Sequence, residues 1–135
     1  GQLRIKQGAY LWRDLLNAGV VVASGTDSPV EPVDPIANFY AAVTRKTLKG
    51  IPETGFEPAQ KLSRMEALHA MTLAAACAAF QDQHKGSIEV GKLADLTVLD
   101  QDLTTVPETE ILNTDVLLTI VGGEVVYQRD ETTIF

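Results

Sequence analysis

The hydrophobic pattern changes character twice along the chain. Leu11, Leu15 and Leu16 recur at helical spacing with Trp12 beside them and Arg13, Asp14 and Asn17 opposite, and Gly19 follows where a helix end favours glycine. A first helix is predicted from Tyr10 to Ala18. Val20 to Ala23 then form a continuous apolar run, the pattern of a strand covered on both faces, as in parallel α/β sheets. Next, Asp34 and Pro35 make a cap and first-turn pair, and Ile36, Phe39, Tyr40 and Val43 trace one face, which predicts a helix from Pro35 to Leu48 ending near Gly50. "IPETGFEPAQK" reads as a loop. "LSRMEALHAMTLAAACAAF" opens on an S-x-x-E capping box, Ser63 with Glu66, and continues as an alanine-rich packing helix. Leu68, Met71 and Ala75 lie along one of its faces, and Met65 and Met71 read as core filler.

From Lys85 the helical period disappears. "KGSIEVGKLADLTVLDQD" and "DVLLTIVGGEVVYQRD" are glycine-punctuated and β-branched, and Gly122 with Gly123 between apolar runs is a hairpin signal. "DLTTVPETEILNT" between them reads as a polar connector. The predicted order is therefore an αβ unit and two further helices, followed by three or four strands, without internal repeats.

Composition narrows the partners. At 135 residues, 45% apolar and 21% charged, one soluble domain is the default. A net charge of −7 without clustered Lys or Arg argues against a nucleic-acid partner. Cys77, the single cysteine, has no internal disulfide partner; it reads as a small buried helix residue and fits a reducing, cytoplasmic setting. No apolar stretch approaches a membrane span, and the N-terminus lacks a signal-peptide pattern. It enters an amphipathic helix almost at once, as if cut from something longer.

Few residues carry candidate chemistry. In parallel α/β folds ligands bind beyond the carboxyl ends of strands, so Asp27, in "VVVASGTDSPVEP", stands at a functional rim; an aspartate in such a turn also routinely caps it through its side chain, and the residues alone leave both readings open. His69 has Glu66 three residues before it but no second histidine to complete a metal pair, and reads as a partly buried structural residue. His84 reads as a solvated loop residue and Asp34 as a helix cap. Arg45 reads ordinarily as a solvated helix residue, although one facing the rim could bind a substrate carboxylate.

Taken together, "LLNAGVVVASGTDSPV", "PIANFYAAVTR", "LSRMEALHAMTLAAACAAF", "KGSIEVGKLADLTVLDQD" and "TIVGGEVVYQ" resemble the C-terminal part of the metal-dependent amidohydrolase superfamily, in the branch that includes N-substituted formamide deformylases. The ordered succession of "GTDSP" and "GSIEVGKLADLTVLD" is the specific element. The resemblance implies an α/β fold: the C-terminal βα units of a (β/α)₈ barrel over residues 1–82, then strands of a small β-sandwich over 83–135. It makes Val20 to Ala23 the last barrel strand. Asp27 becomes the acid that takes a proton from a metal-bound water and passes it to the leaving nitrogen of a small-molecule amide, and a candidate contact to the metal itself.

The same resemblance exposes what is missing. The family's H-x-H pair, bridging ligand and later histidines have no counterpart here, and a whole barrel needs about 200 residues or more. A divalent metal, zinc, is implied for the intact enzyme and none for this chain alone. The alternative reading is a non-catalytic module. In it the first strand and the alanine-rich helix, stripped of barrel neighbours, are covered by self-association into a homo-oligomer.

Overall fold

The computed structural model describes residues 2–129. It opens with two short helices, α1 (Gln2–Gly8) and α2 (Trp12–Asn17), where the pattern predicts one helix from Tyr10. Tyr10 has a left-handed backbone (φ 59), which no helical turn accommodates, so α2 begins two residues later. Helix α3 (Pro35–Thr44) starts as predicted: the Asp34 carboxylate accepts the amides of Ile36 and Ala37 at 2.9 and 3.0 Å, with Pro35 at the first position. Its end differs. Arg45 turns left-handed (φ 60) and its N–H bonds to the Ala41 carbonyl, which stops the helix short of Leu48.

The capping box forms in both directions, the Glu66 amide donating to Ser63 Oγ and the Ser63 amide to Glu66 Oε2. Beyond the cap the chain forms two helices rather than one, α4 (Arg64–Met71) and α5 (Leu73–Ala78). Thr72 lies between them with φ −118 and ψ −91, and its hydroxyl donates back to the Leu68 carbonyl at 2.7 Å, competing with the helix ladder. Met71 packs on the core as expected, whereas Met65 is exposed, 65% accessible.

Strands β1 (Leu96–Leu99), β2 (Val116–Val121) and β3 (Glu124–Gln128) form an antiparallel sheet in the order β1-β2-β3. Leu96 stands opposite Ile120 and Thr119 opposite Tyr127. The hairpin falls on the predicted glycines. Gly122 and Gly123 both have positive φ (60 and 88), the requirement of the two-residue turn that matches strand twist, and Asp95 Oδ1 accepts the Gly122 amide at 2.8 Å.

The core is built where α3 meets α4. Phe39, Tyr40 and Ala42 of α3 pack with Leu62 and Ala67, and the third wall comes from Leu103, Val106 and Ile111. Those three belong to the segment that reads as a polar connector in sequence; it includes a 3₁₀ turn (Glu108–Asn113) and carries isolated apolar residues without a period to reveal them. One core thus draws on residues from both sides of position 83. No helix among the described residues is long and apolar enough to cross a membrane.

The predicted strand at Val20 to Ala23 needs correction. The backbone N–H and C=O groups of Val21, Val22 and Ala23 make no backbone hydrogen bond among the described residues, and no ladder forms. A strand of a parallel sheet is stabilised by neighbouring strands, and the described residues place none beside it. Exposure nevertheless alternates with the period of a strand: Val21, Ala23, Gly25 and Asp27 are exposed, while Val22, Ser24 and Thr26 are half-buried. One face is covered, not two.

Helix α2 is fastened to α4 by Arg13, whose guanidinium meets both Glu66 carboxylate oxygens at 2.5 Å and also donates to the Lys61 carbonyl. The hydrogen bond from Arg13, reinforced by Ser63, holds the Glu66 carboxyl down at about 2. A carboxyl whose folded pKa is depressed binds its proton more readily unfolded, so its stabilisation is complete above the ordinary glutamate value and disappears as pH falls toward 2. Chemical denaturation at pH 6, 4 and 2.5 is expected to show a midpoint that declines across this window, with a shallower decline in Glu66→Gln.

Candidate functional site

The half-covered segment is fixed at one residue. The Ser24 amide donates to the Ala70 carbonyl of α4 at 3.0 Å, and Asn38 Nδ2 of α3 donates to Ser24 Oγ at 3.1 Å. Asp27 lies three residues on. It is exposed, has φ 54, and its carbonyl accepts the Val30 amide at 2.8 Å to close a tight turn. Aspartate is among the residues that tolerate this left-handed backbone. The turn is closed by the main chain; among the described residues the Asp27 carboxylate accepts no hydrogen bond. The side-chain capping expected of a turn aspartate is therefore not what holds this turn.

Beside Asp27, Gly25 and Thr26 form one end of a cleft of about 430 Å³ that runs along α3, with Glu31, Asn38, Ala41 and Lys46 among its walls. Lys46 Nζ donates to Glu108 at 2.6 Å, which raises the lysine pKa and lowers that of the glutamate. Asp34, also on the wall, is committed to capping α3. A smaller cavity of about 190 Å³ lies between Trp12, Val22 and Leu62 on the covered side of the segment.

Arg45 is not the solvated helix residue expected from sequence. Only 7% accessible, it lies with its guanidinium 4.4 Å from the Trp12 ring centre and 5.5 Å from that of Phe56. Its Nε donates to the Phe56 carbonyl at 2.8 Å and one terminal nitrogen to the Tyr10 carbonyl at 3.1 Å. Burial pushes its pKa below the usual arginine value, offset in part by Glu57. The other terminal nitrogen is enclosed without a hydrogen-bond partner. This aromatic cage had no sequence signal, because a left-handed helix end is usually read from glycine and the cage is assembled from residues far apart in the chain.

The histidines stay apart from Asp27. His84 lies exposed in a loop, as expected, but His69 is exposed on α4, on the side away from the buried Ala67 and Ala70, and is not the partly buried residue its surroundings suggested. Cys77 is half-buried on α5. No three His, Cys, Asp or Glu side chains converge among the described residues.

Against this geometry, a family model for amidohydrolases matches residues 3–127. The chain belongs to the amidohydrolase family. An N-substituted formamide deformylase from Arthrobacter pascens is 37% identical over 117 residues, a match covering 87% of this chain and 21% of that one. Among solved structures, an amidohydrolase from Thermotoga maritima MSB8 superposes with a TM-score of 0.65 at 23% identity, over 89% of this chain and 26% of its own, which shows a shared fold. An uncharacterized metal-dependent hydrolase from Pyrococcus horikoshii OT3 also gives 0.65, at 30% identity over 81% of this chain and 22% of its own. The chain spans 21–24% of the length of the first three curated relatives it matches. The resemblance read from the motifs is upheld at the level of the family.

The Arg45 cage makes a sharp prediction. In Arg45→Ala the Tyr10 and Phe56 carbonyls lose their donor and the space between two rings is emptied, so stability should fall by about 3 kcal/mol. Urea denaturation followed by emission of the single tryptophan, Trp12, measures this directly; an unchanged midpoint would mean that the cage contributes nothing to folding.

Proposed function

We propose that this chain is the C-terminal part of an amidohydrolase that hydrolyses a C–N bond of a small-molecule amide, with Asp27 as its proton carrier. The observation that carries the reading is the position of Asp27: a carboxylate without a hydrogen-bond partner among the described residues, on the uncovered face of a strand-like segment, in a chain matched by the family model from residue 3 to 127. In this proposal residues 1–82 contribute the last strand and flanking helices of a (β/α)₈ barrel, and residues 83–135 contribute strands to a small β-sandwich. A cytoplasmic setting suits its single free cysteine.

The family implies a divalent metal, and zinc is our choice for the intact enzyme. The residues present do not by themselves fit one. Three protein ligands are the usual minimum of a catalytic zinc site, and no such group converges among the described residues. What this chain supplies is acid–base chemistry. The Asp27 carboxylate accepts a proton from the attacking water as its oxygen bonds to the amide carbon. The C–N bond then breaks, and Asp27 returns the proton to the departing nitrogen. Arg45 enters the proposal only as a candidate contact for a substrate carboxylate, and its enclosure between Trp12 and Phe56 favours a positioning role over direct contact.

The experiment joins this chain to the remainder of a family member in one polypeptide and assays N-substituted formamides and simple amides. Asp27→Asn is expected to lower kcat by about 10²- to 10⁴-fold, the ordinary range for a general acid–base group, with KM little changed. Full activity in that variant would overturn the assignment. The 135-residue chain purified alone is expected to hold no stoichiometric zinc by elemental analysis; one tightly bound ion per chain contradicts the incomplete site.

A second reading, a non-catalytic module that self-associates, is favoured by one observation. Val20 and Val21 are 46% and 57% accessible, Phe80, Ile88 and Val90 more so, and apolar surface of this kind tends to be covered by association. The alanine-rich helices do not share in this, since Ala67, Ala70, Ala74 and Ala76 are buried within the chain. On this reading a homo-oligomer forms at micromolar concentration, and sedimentation velocity showing a stable monomer sinks it.

A further inference from the structure

Residues 20–26 combine three properties that are seldom found together in a monomer. Their exposure alternates as in a strand, the backbone of 21–23 has no hydrogen-bonded partner among the described residues, and the segment is nevertheless held in register by the two bonds at Ser24. A loop in water has no reason to alternate, and a β-branched run with both backbone edges open is a template for strand addition. The position of the segment is already fixed, so a docking strand meets an ordered edge and spends little of its binding free energy on ordering it.

We infer that residues 20–26 are a preformed docking strand whose occupant is the strand-bearing remainder of an amidohydrolase chain, pairing along both edges of Val21 to Ser24 and covering the face that carries Val21, Ala23 and Asp27. The inference rests on the proposed function and adds the surface and the partner. Two facts favour this occupant over a second copy. The chain spans only 21–24% of the first three curated relatives it matches, so a complementary portion exists in each of them. The segment also continues straight into Asp27 and the adjoining cleft, so whatever covers the open face faces both. A copy of this chain has no ladder strand to offer there except through β1 or β3, the edges of its own antiparallel sheet.

Two measurements test it. In the isolated chain, amide hydrogen exchange should be fast at Val21, Val22 and Ala23 and slowed at Ser24, whose amide is bonded to Ala70; protection at 21–23 in a monomer overturns the open edge. This chain is then co-expressed with the part of the Arthrobacter pascens N-substituted formamide deformylase that lies outside the matched 117 residues. A one-to-one complex by light scattering, with new protection at 21–24, is expected. Val21→Asp should weaken it at least tenfold while leaving the midpoint of the free chain unchanged, because that side chain is exposed there. Absence of a complex, protection confined to 124–128, equal binding by Val21→Asp, or a homodimer that protects 21–24 and excludes the deformylase portion each overturn the inference. A complex that forms as described but cleaves no formamide keeps the docking strand and overturns the hydrolase reading instead.

Discussion

Ser24 is the residue through which the interior of this chain determines where Asp27 stands. Its amide is held by the last turn of α4 and its hydroxyl by the middle of α3, the two helices that face each other across the core. Without those bonds, the seven residues from Val20 to Thr26 would be a loop with apolar side chains. With them, the segment is an ordered strand lacking its sheet. The helices themselves are held by ordinary means: Phe39 and Ala67 fully enclosed at their crossing, a two-way cap at Ser63, and the Arg13 to Glu66 pair drawing α2 against the same assembly. The position of the carboxylate is thus set by packing more than ten residues away in sequence.

The parts of this fold legible in the sequence were those written in local chemistry. The Asp34 cap, the Ser63 box and the Gly122 to Gly123 turn each depend on a few neighbouring residues, and each lies where those residues indicate. Helix ends set by side chains from elsewhere were not legible. Arg45 stops α3 by turning left-handed, and its guanidinium is held by the Tyr10 and Phe56 carbonyls. The wall formed by Leu103, Val106 and Ile111 was hidden for a related reason, since single apolar residues spaced through a polar stretch carry no periodicity.

The candidate site was legible in part for a different reason. The apolar run before Asp27 was composed for burial on two faces, and only one face is covered among the described residues. Hydrophobic pattern records the environment for which a sequence was selected, and a chain matching about a quarter of its relatives retains the pattern beyond what its own contacts require. The disagreement between pattern and burial at Val20 and Val21 therefore carries information about the surroundings of the segment, where agreement would have reported only on its packing.

The core shared across residue 83 has a further consequence. Barrel-type and sandwich-type segments are readily imagined as separable modules joined by a hinge, but Ile111 is as completely enclosed as Phe39 and in the same cluster. Neither half can be exchanged for a relative's counterpart without recutting that shared surface. Recombination within such a family would be constrained to breakpoints outside the pairing of α3 with residues 103–111, and the two halves would be inherited as a unit.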